Sequence, residues 1–290
     1  MFWNRKKTIY ITETLFDLDG SDYCNLILEN QITYKKTVEN VGGLALIFKN
    51  EKLIKATEYE YNNGFFYSKE RELKSNEIEL QIPNYQPHKI IRYKENENGI
   101  HQIGGYFSDE FLQPENNCIA PFQYLGFIDN KDKFFDWLPF KVHLTCPIFL
   151  DFEEIFLDYS NPQKPVIINR NEVEKLTTAY DEELNQNSYI KYKSKRFNFI
   201  EDDKFSLEEI QSGLPRWIQG IHIPKCPKTG KRMRYLCQMY GGTETEETNI
   251  AGRDDWYQHY FEQMDFWGSG DLYVFFEPDS KVACYFIQNT

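Results

Sequence analysis

The dominant periodicity of this chain is two. Ile9 and Ile11 alternate with Thr8, Tyr10 and Thr12, and Glu77 to Ile82 alternates cleanly before stopping at Pro83. Successive side chains of a strand point to opposite faces, so this pattern calls for extended backbone with one face buried. The clearest instance is C-terminal. Leu272-Tyr273-Val274-Phe275-Phe276 is rich in β-branched and aromatic residues, which suit a pleated surface. Glu277-Pro278-Asp279-Ser280-Lys281 carries turn chemistry, and Val282 to Gln288 returns as the partner strand. Leu44 to Phe48, a polar turn Lys49-Asn50-Glu51-Lys52, and Leu53-Ile54 read as a second hairpin. His88 to Tyr93 reads as another short strand. Residues 1–95 are therefore expected to form a mostly antiparallel sheet with one solvated face.

Composition limits what such strands can build. The 290 residues include 23 Phe, 20 Tyr and 5 Trp, enough apolar surface to offset chain entropy and exclude intrinsic disorder. Lys plus Arg total 33 against 45 Asp plus Glu, a net charge of −12. That sign excludes a nucleic-acid binder held by its global field. The cysteines at 24, 118, 146, 226, 237 and 284 are irregularly spaced inside mostly apolar runs and read as buried free thiols. Arg5, Lys6 and Lys7 precede an alternating, acid-containing stretch rather than an apolar one, so no secretion signal is expected. No window of about 18 apolar residues suggests a membrane span. A cytoplasmic protein without a membrane partner is the expectation.

Two helices are predicted. Val173, Leu176, Tyr180 and Leu184 recur at spacings of three and four behind an Asn171 cap. Ser206-Leu207-Glu208-Glu209 fits a capping box, with Gly213 at the stop. Tyr93 to Gly99 is the best linker. The fold class is thus α+β and β-rich, with antiparallel sheets, an internal duplication and a few short helices. The expected domains are an N-terminal β-rich segment, 1–95, packed on a second domain, 96–290, that holds two related units, about 100–200 and 205–290.

The duplication is read from an echo. Ile103-Gly104-Gly105-Tyr106, Phe111-Leu112-Gln113 and Pro121-Phe122-Gln123-Tyr124-Leu125-Gly126 resemble Ser212-Gly213-Leu214-Pro215, Trp217-Ile218-Gln219 and Met233-Arg234-Tyr235-Leu236-Cys237-Gln238. Each stretch has a Gly turn, an apolar-Gln pair and a strand with an aromatic-Leu pair. The second stretch also carries the strings G-x-P-x-W-I-Q (Gly213, Pro215, Trp217, Ile218, Gln219), P-x-C-P (Pro224, Cys226, Pro227), M-x-Y-L-x-Q (Met233, Tyr235, Leu236, Gln238) and G-x-G-x-L-Y-V-F (Gly268, Gly270, Leu272 to Phe275). These resemble the YwqG-like family of proteins of unknown function, over roughly residues 100–290 and most closely after 210. A similar string occurs in the C-terminal half of programmed cell death protein 2. The resemblance implies a β-rich α+β fold with an internal repeat and no established activity. Thr229 departs from the pattern, because related sequences often carry a second Cys there.

No constellation of catalytic residues stands out. Cys226 lacks a close thiolate partner, and His222, Cys237 and His259 are a scatter rather than a metal spacing. A knuckle-like turn without metal is expected, and no cofactor. Any of His88, His101, His143, His222 and His259 could meet Cys118, Cys146 or Cys226, but no local signature selects a pair. Cys237 and Cys284 are expected to be inert in core strands. Asp151, Glu153 and Glu154, and Glu244, Glu246 and Glu247, read as solvated acidic faces. Asp17 to Asp22 has its Gly at the wrong position for a calcium loop. Gly268-Ser269-Gly270 precedes a strand and cradles no phosphate.

One local feature opposes the global charge. Lys225, Lys228, Lys231, Arg232 and Arg234 place five cations between 225 and 234, near Trp217, Gln219 and Tyr235. Such a loop could be a solvated turn, or could grip RNA or an acidic protein. Trp256, Tyr257, Tyr260, Phe261, Phe266 and Trp267 crowd one segment, after a polar stretch Gly241 to Asp254 expected to be a long mobile loop. The leading expectation is a non-catalytic protein-interaction module of immunity or chaperone and escort type, whose partner is a basic protein such as a toxin or a ribosomal protein. Its interaction residues are Trp217, Gln219, Lys225, Lys228, Lys231, Arg232, Arg234 and Trp256. The alternatives are an enzyme with a site assembled from dispersed residues, and an RNA-binding module using the 225–234 loop, the latter disfavoured by the net charge.

Overall fold

The computed structural model describes residues 9–13, 41–49, 52–62, 65–71, 90–106, 111–115, 121–147, 153–174, 188–202, 209–213, 215, 218–219, 222–231, 233–249, 261–266 and 270–289, with side chains from residue 91 onward. Strands β1 (Ile9–Glu13), β2 (Val41–Lys49), β3 (Lys52–Asn62) and β4 (Phe65–Arg71) form a four-stranded antiparallel sheet in chain order. Lys49 pairs with Lys52, so the hairpin expected around Asn50-Glu51 is present. The predicted strand Glu77 to Ile82 lies outside the described residues.

Eleven further strands make one antiparallel sheet: β5 (Ile90–Glu95), β6 (His101–Ile103), β7 (Phe122–Ile128), β8 (Val142–Pro147), β9 (Ile155–Asp158), β10 (Val166–Ile167), β12 (Lys195–Asp202), β13 (Ile210–Ser212), β14 (Arg234–Met239), β16 (Asp271–Glu277) and β17 (Val282–Gln288). Their order is β10-β9-β17-β16-β14-β13-β5-β12-β6-β7-β8. Strands β11 (Tyr189–Tyr192) and β15 (Thr245–Asn249) form a separate two-stranded ribbon. The single described helix, α1, is one turn, Arg170–Val173.

The eight consecutive strands from β16 to β8 have a symmetric order. Exchanging β5, β6, β7 and β8 with β12, β13, β14 and β16 gives the same order read from the other end. Strands β5 and β12 meet about the Lys94–Asn198 pair, with Glu95 opposite Phe197 and Tyr93 opposite Phe199. Arg196 stands opposite Gln102, and Arg92 opposite Gln211. The β7–β8 ladder has a bulge between Tyr124 and Gly126, and the β14–β16 ladder one between Tyr235 and Cys237. Gly104 and Gly213 follow β6 and β13, with φ of 61° and 82°, a region that favours glycine. The carbonyl of bulged Leu125 accepts the Gly104 N–H at 2.9 Å. That of bulged Leu236 accepts the Ser212 hydroxyl at 2.5 Å.

Both faces of the sheet are covered at its C-terminal strands. Leu272, Val274 and Phe276 face the main core, while Tyr273 and Phe275 face a second cluster with Phe156, Met233, Cys284 and Phe286. Strand β16 is therefore buried at every position, which is why its sequence is a continuous apolar run. The main core is aromatic, and full burial of one such ring stabilises by roughly 1.5–3 kcal/mol. It is tied across the sheet by Tyr159, just after β9. The Tyr159 hydroxyl donates to the His143 carbonyl on β8 at 2.6 Å and accepts from the Tyr285 hydroxyl at 2.9 Å. Strand β8, last in the sheet order, is thus bonded by a side chain to the β9–β17 region.

Several expectations are corrected. The stretch Tyr93 to Gly99 is not an open linker: Tyr93 to Glu95 lie in β5, and Gly99 N–H closes a turn on the Asn96 carbonyl at 2.7 Å. The large sheet therefore begins before residue 96. Helix α1 follows Asn169, not Asn171, and 175–187 lies outside the described residues. The Asn169 side chain does not cap it. Its amide spans Phe156 N–H and the Glu154 carbonyl, binding α1 to β9. The capping box at 206–208 lies outside the described residues, but Ile210 to Ser212 is a strand, so Gly213 ends a strand where a helix stop is predicted; ladder partners on both β14 and β5 decide it. Within Gly241 to Asp254, Thr245–Asn249 is strand β15.

The Tyr159 node is testable. Tyr159→Phe leaves the His143 carbonyl and the Tyr285 hydroxyl short of a partner in a buried site and should cost about 1–3 kcal/mol. Denaturant unfolding measures it, and an unchanged midpoint would contradict the role given to this hydroxyl.

Candidate functional site

The cationic stretch of the sequence lies between β13 and β14 and closes on itself. Met233 N–H bonds the Pro224 carbonyl at 2.9 Å, Cys226 N–H the Lys231 carbonyl at 2.8 Å, and Gly230 N–H the Cys226 carbonyl at 2.8 Å. Gly230, with φ of 69°, supplies the left-handed residue the turn needs. Cys226 points inward, its Sγ 3.2 Å from Ser280 Oγ, and it packs with Met233 on the second cluster. Hydrogen bonds and apolar packing hold this knuckle-like turn.

Three of its cations are engaged within the chain. Lys228 Nζ bonds Asp158 at 2.6 Å, and Lys231 Nζ bonds Asp279 at 2.9 Å. Burial pushes the Asp158 carboxyl up, but hydrogen bonds from Lys228 and Ser160 outweigh it and hold the group below its usual range. The Lys231 ammonium is raised by Asp279. Arg234 stacks 3.8 Å above the Trp137 ring, and burial lowers its guanidinium to about 9. Lys225 is exposed and has no partner among the described residues. Gln219 is exposed, and its N–H and that of Ile218 both bond Gln288 Oε1, at 3.2 and 3.1 Å. Trp217, Arg232 and Trp256 lie outside the described residues. The structure thus gathers Lys228, Lys231 and Cys226 into one turn and sends Arg234 to the opposite side of its strand.

The histidines and thiols are dispersed and occupied. His101 is fully buried among Phe135, Phe197 and Phe199. Its Nδ1 accepts Asp129 N–H at 3.0 Å, so its Nε2 carries the proton and donates to Asp132 at 2.9 Å. Both nitrogens are used, and burial lowers its pKa. His143 Nδ1 lies 2.8 Å from the Tyr124 hydroxyl and its ring stacks on Phe111 at 4.7 Å; burial lowers it to about 4. His222 bonds Glu154 at 2.8 Å at the surface. Burial pushes the Cys146 thiol up to about 12 and raises Cys237 and Cys284 as well, so these sulfurs are neutral thiols rather than nucleophiles. Cys24, Cys118, His88 and His259 lie outside the described residues. Among those described, no three His, Cys, Asp or Glu side chains form a group able to hold a metal, and no helix is long and apolar enough to cross a membrane.

A face that the sequence shows only as the solvated acidic run of Glu244, Glu246 and Glu247 lies on the β11–β15 ribbon. Tyr189 and Tyr106 are exposed on it, Lys191 sits between Tyr106 and Glu246, and Tyr189 bonds Glu247. No protein-family model, curated protein or solved structure matches the chain.

The buried histidines give a pH prediction. A histidine depressed in the fold binds a proton in the unfolded chain first, so stability is complete above about pH 6.5 and falls as pH drops toward about 4. The imidazole resonances of His143 should titrate near the lower value. Titration near 6.5 would show that the ring is not enclosed.

Proposed function

We propose that this chain is a non-catalytic protein-interaction module of YwqG-like type, acting in the cytoplasm on a basic protein partner. The observation that carries the reading is the internal engagement of three of the five cations of the 225–234 loop. Lys228 and Lys231 answer to Asp158 and Asp279, and Arg234 to Trp137. The charge left to steer an encounter is then the chain's excess of acid, −12 overall. An RNA strand would have to displace those carboxylates, which disfavours the nucleic-acid reading. The shifted histidines and thiols are shifted by enclosure rather than gathered in a cleft, which disfavours a dispersed catalytic site. An immunity role toward a basic toxin and an escort role for a ribosomal protein both fit this chemistry.

The proposal also includes the internal duplication expected from the sequence at about 100–200 and 205–290, with the copies now taken to begin earlier, at β5 and at β12. It is supported by the exchange-symmetric strand order, the paired bulges at Leu125 and Leu236, and the glycines after β6 and β13. It also explains why each copy needs the other, since each lends its first strand.

Titration with a Lys/Arg-rich peptide, a Glu/Asp-rich peptide and a single-stranded RNA tests the proposal. Binding to the basic peptide alone, weakening as salt rises, is expected. RNA binding abolished by neutralising Lys225, or no preference for the basic peptide, would overturn it.

A further inference from the structure

We propose that the outward face of the β11–β15 ribbon, carrying Tyr106, Tyr189, Glu246 and Glu247, is the docking surface for a Lys/Arg-rich extended segment of a partner protein. This rests on the reading of a basic partner given above and assigns it a place. The two-residue alternation of a strand puts Tyr189 and Lys191 on one face of β11, where Tyr189 is exposed and Lys191 is buried against Tyr106 and Glu246. Across the ribbon Lys191 stands opposite Glu247 and Tyr189 opposite Asn249. Tyr106 is 64% and Tyr189 41% exposed, two of the four large exposed apolar side chains among the described residues. Rigid exposed tyrosines are preferred anchors of protein interfaces, because they offer much area for little lost side-chain freedom.

Tyr106 is not on a loose loop. Gly105 N–H bonds the Tyr192 carbonyl at 2.8 Å, Gly104 N–H the Leu125 carbonyl at 2.9 Å, and Gln102 Nε2 the Gly104 carbonyl at 2.8 Å. The turn that precedes Tyr106 is therefore tied to β7 and β11 before any partner arrives, and the ordering cost of binding falls.

The chain itself displays the recognition chemistry. Lys191 Nζ lies 3.2 Å from the Tyr106 ring centroid and 2.9 Å from Glu246 Oε1. An ammonium held between a phenol ring and a carboxylate is the arrangement a partner's Lys or Arg would adopt on the open face of Tyr106 or over Tyr189. Glu247 accepts the Tyr189 hydroxyl at 2.5 Å through Oε1, and Glu246 is 49% exposed. A carboxylate has acceptor sites beyond the single contact each of these makes among the described residues. Thr245 N–H bonds the Glu262 carbonyl at 2.8 Å. Beyond it, and among the described residues, β15 has β11 as its ladder neighbour at Glu247 and Thr248. An extended segment could lie along this strand with its basic side chains over the face.

The test measures affinity of the full chain for a Lys/Arg-rich peptide, and follows the tyrosine resonances during titration. In the wild type, the Tyr106 and Tyr189 signals should shift with saturation. The double variant Tyr106→Ser, Tyr189→Ser should weaken binding about tenfold or more. Leu112→Ser, at another exposed apolar residue, should not. Tyr106→Phe should keep most of the affinity, because the ring remains. If the wild type binds the peptide while the tyrosine signals stay fixed and the double variant binds equally, the face is wrong and the basic-partner reading survives. If the wild type does not bind the basic peptide at all, both fail. The resonance shifts decide the matter even if the double variant folds poorly.

Discussion

The structure depends on one pairing, that of β5 with β12. Each of these strands also pairs with the half of the sheet to which the other leads, β5 with β13 and β12 with β6. Remove either and the sheet divides, leaving two unpaired edges and the aromatic cluster of Tyr93, Phe197, Phe199 and His101 open to water. The pairing brings residues 90–95 against residues 197–202 and 211–212. Loop entropy must be overcome before such contacts stabilise anything, so a fold of this topology assembles slowly and late. The Tyr159 hydroxyl, bonded to β8 and to Tyr285, then fastens the periphery that this central crossing has brought together.

Charge is distributed by the same logic. The acids Asp158 and Asp279 lie at the ends of β9 and of the β16–β17 turn, where they meet the lysines of the 224–233 turn. These pairs are exposed or partly so, and solvent screening leaves such pairs little effect on stability. What fixes the turn is the burial of Cys226 and Met233 on the second cluster. The pairs determine instead what the surface presents: two of the cations clustered in sequence, Lys228 and Lys231, meet carboxylates from distant parts of the chain.

That difference marks the limit of what the sequence makes legible. Strands β16 and β17, the β2–β3 hairpin and the β-rich class follow from periodicity, because a buried strand face leaves its alternation in the residue order. The fate of Ile210 to Ser212 does not. A capping box and a glycine stop are local signals, and the ladder partners that make this segment a strand come from β5 and β14. Strand β15, Thr-Glu-Glu-Thr-Asn, is exposed along most of its length and shows no apolar alternation, so it reads as a loop. For the site, the lysines were visible and their partners were not. Asp158 is 70 residues from Lys228, and Asp279 is 48 from Lys231.

The exchange symmetry of the strands sharpens where a partner would dock. Matching positions of the two halves carry different chemistry. On β7 and the start of β8, Lys141 lies over Phe127; at the corresponding places, Gln238 bonds Asp271 at 2.7 Å. The turn after β6 continues Gly104-Gly105-Tyr106 and ends on an exposed ring, whereas the turn after β13 continues Gly213-Leu214-Pro215. The ribbon that receives Tyr106 also has no counterpart in the symmetric order, since β11 and β15 stand outside the large sheet. A repeated frame would by itself offer two similar surfaces. Among the described residues, the exposed ring of Tyr106 and the acidic strand β15 coincide on one side of this frame, where the other half has neither.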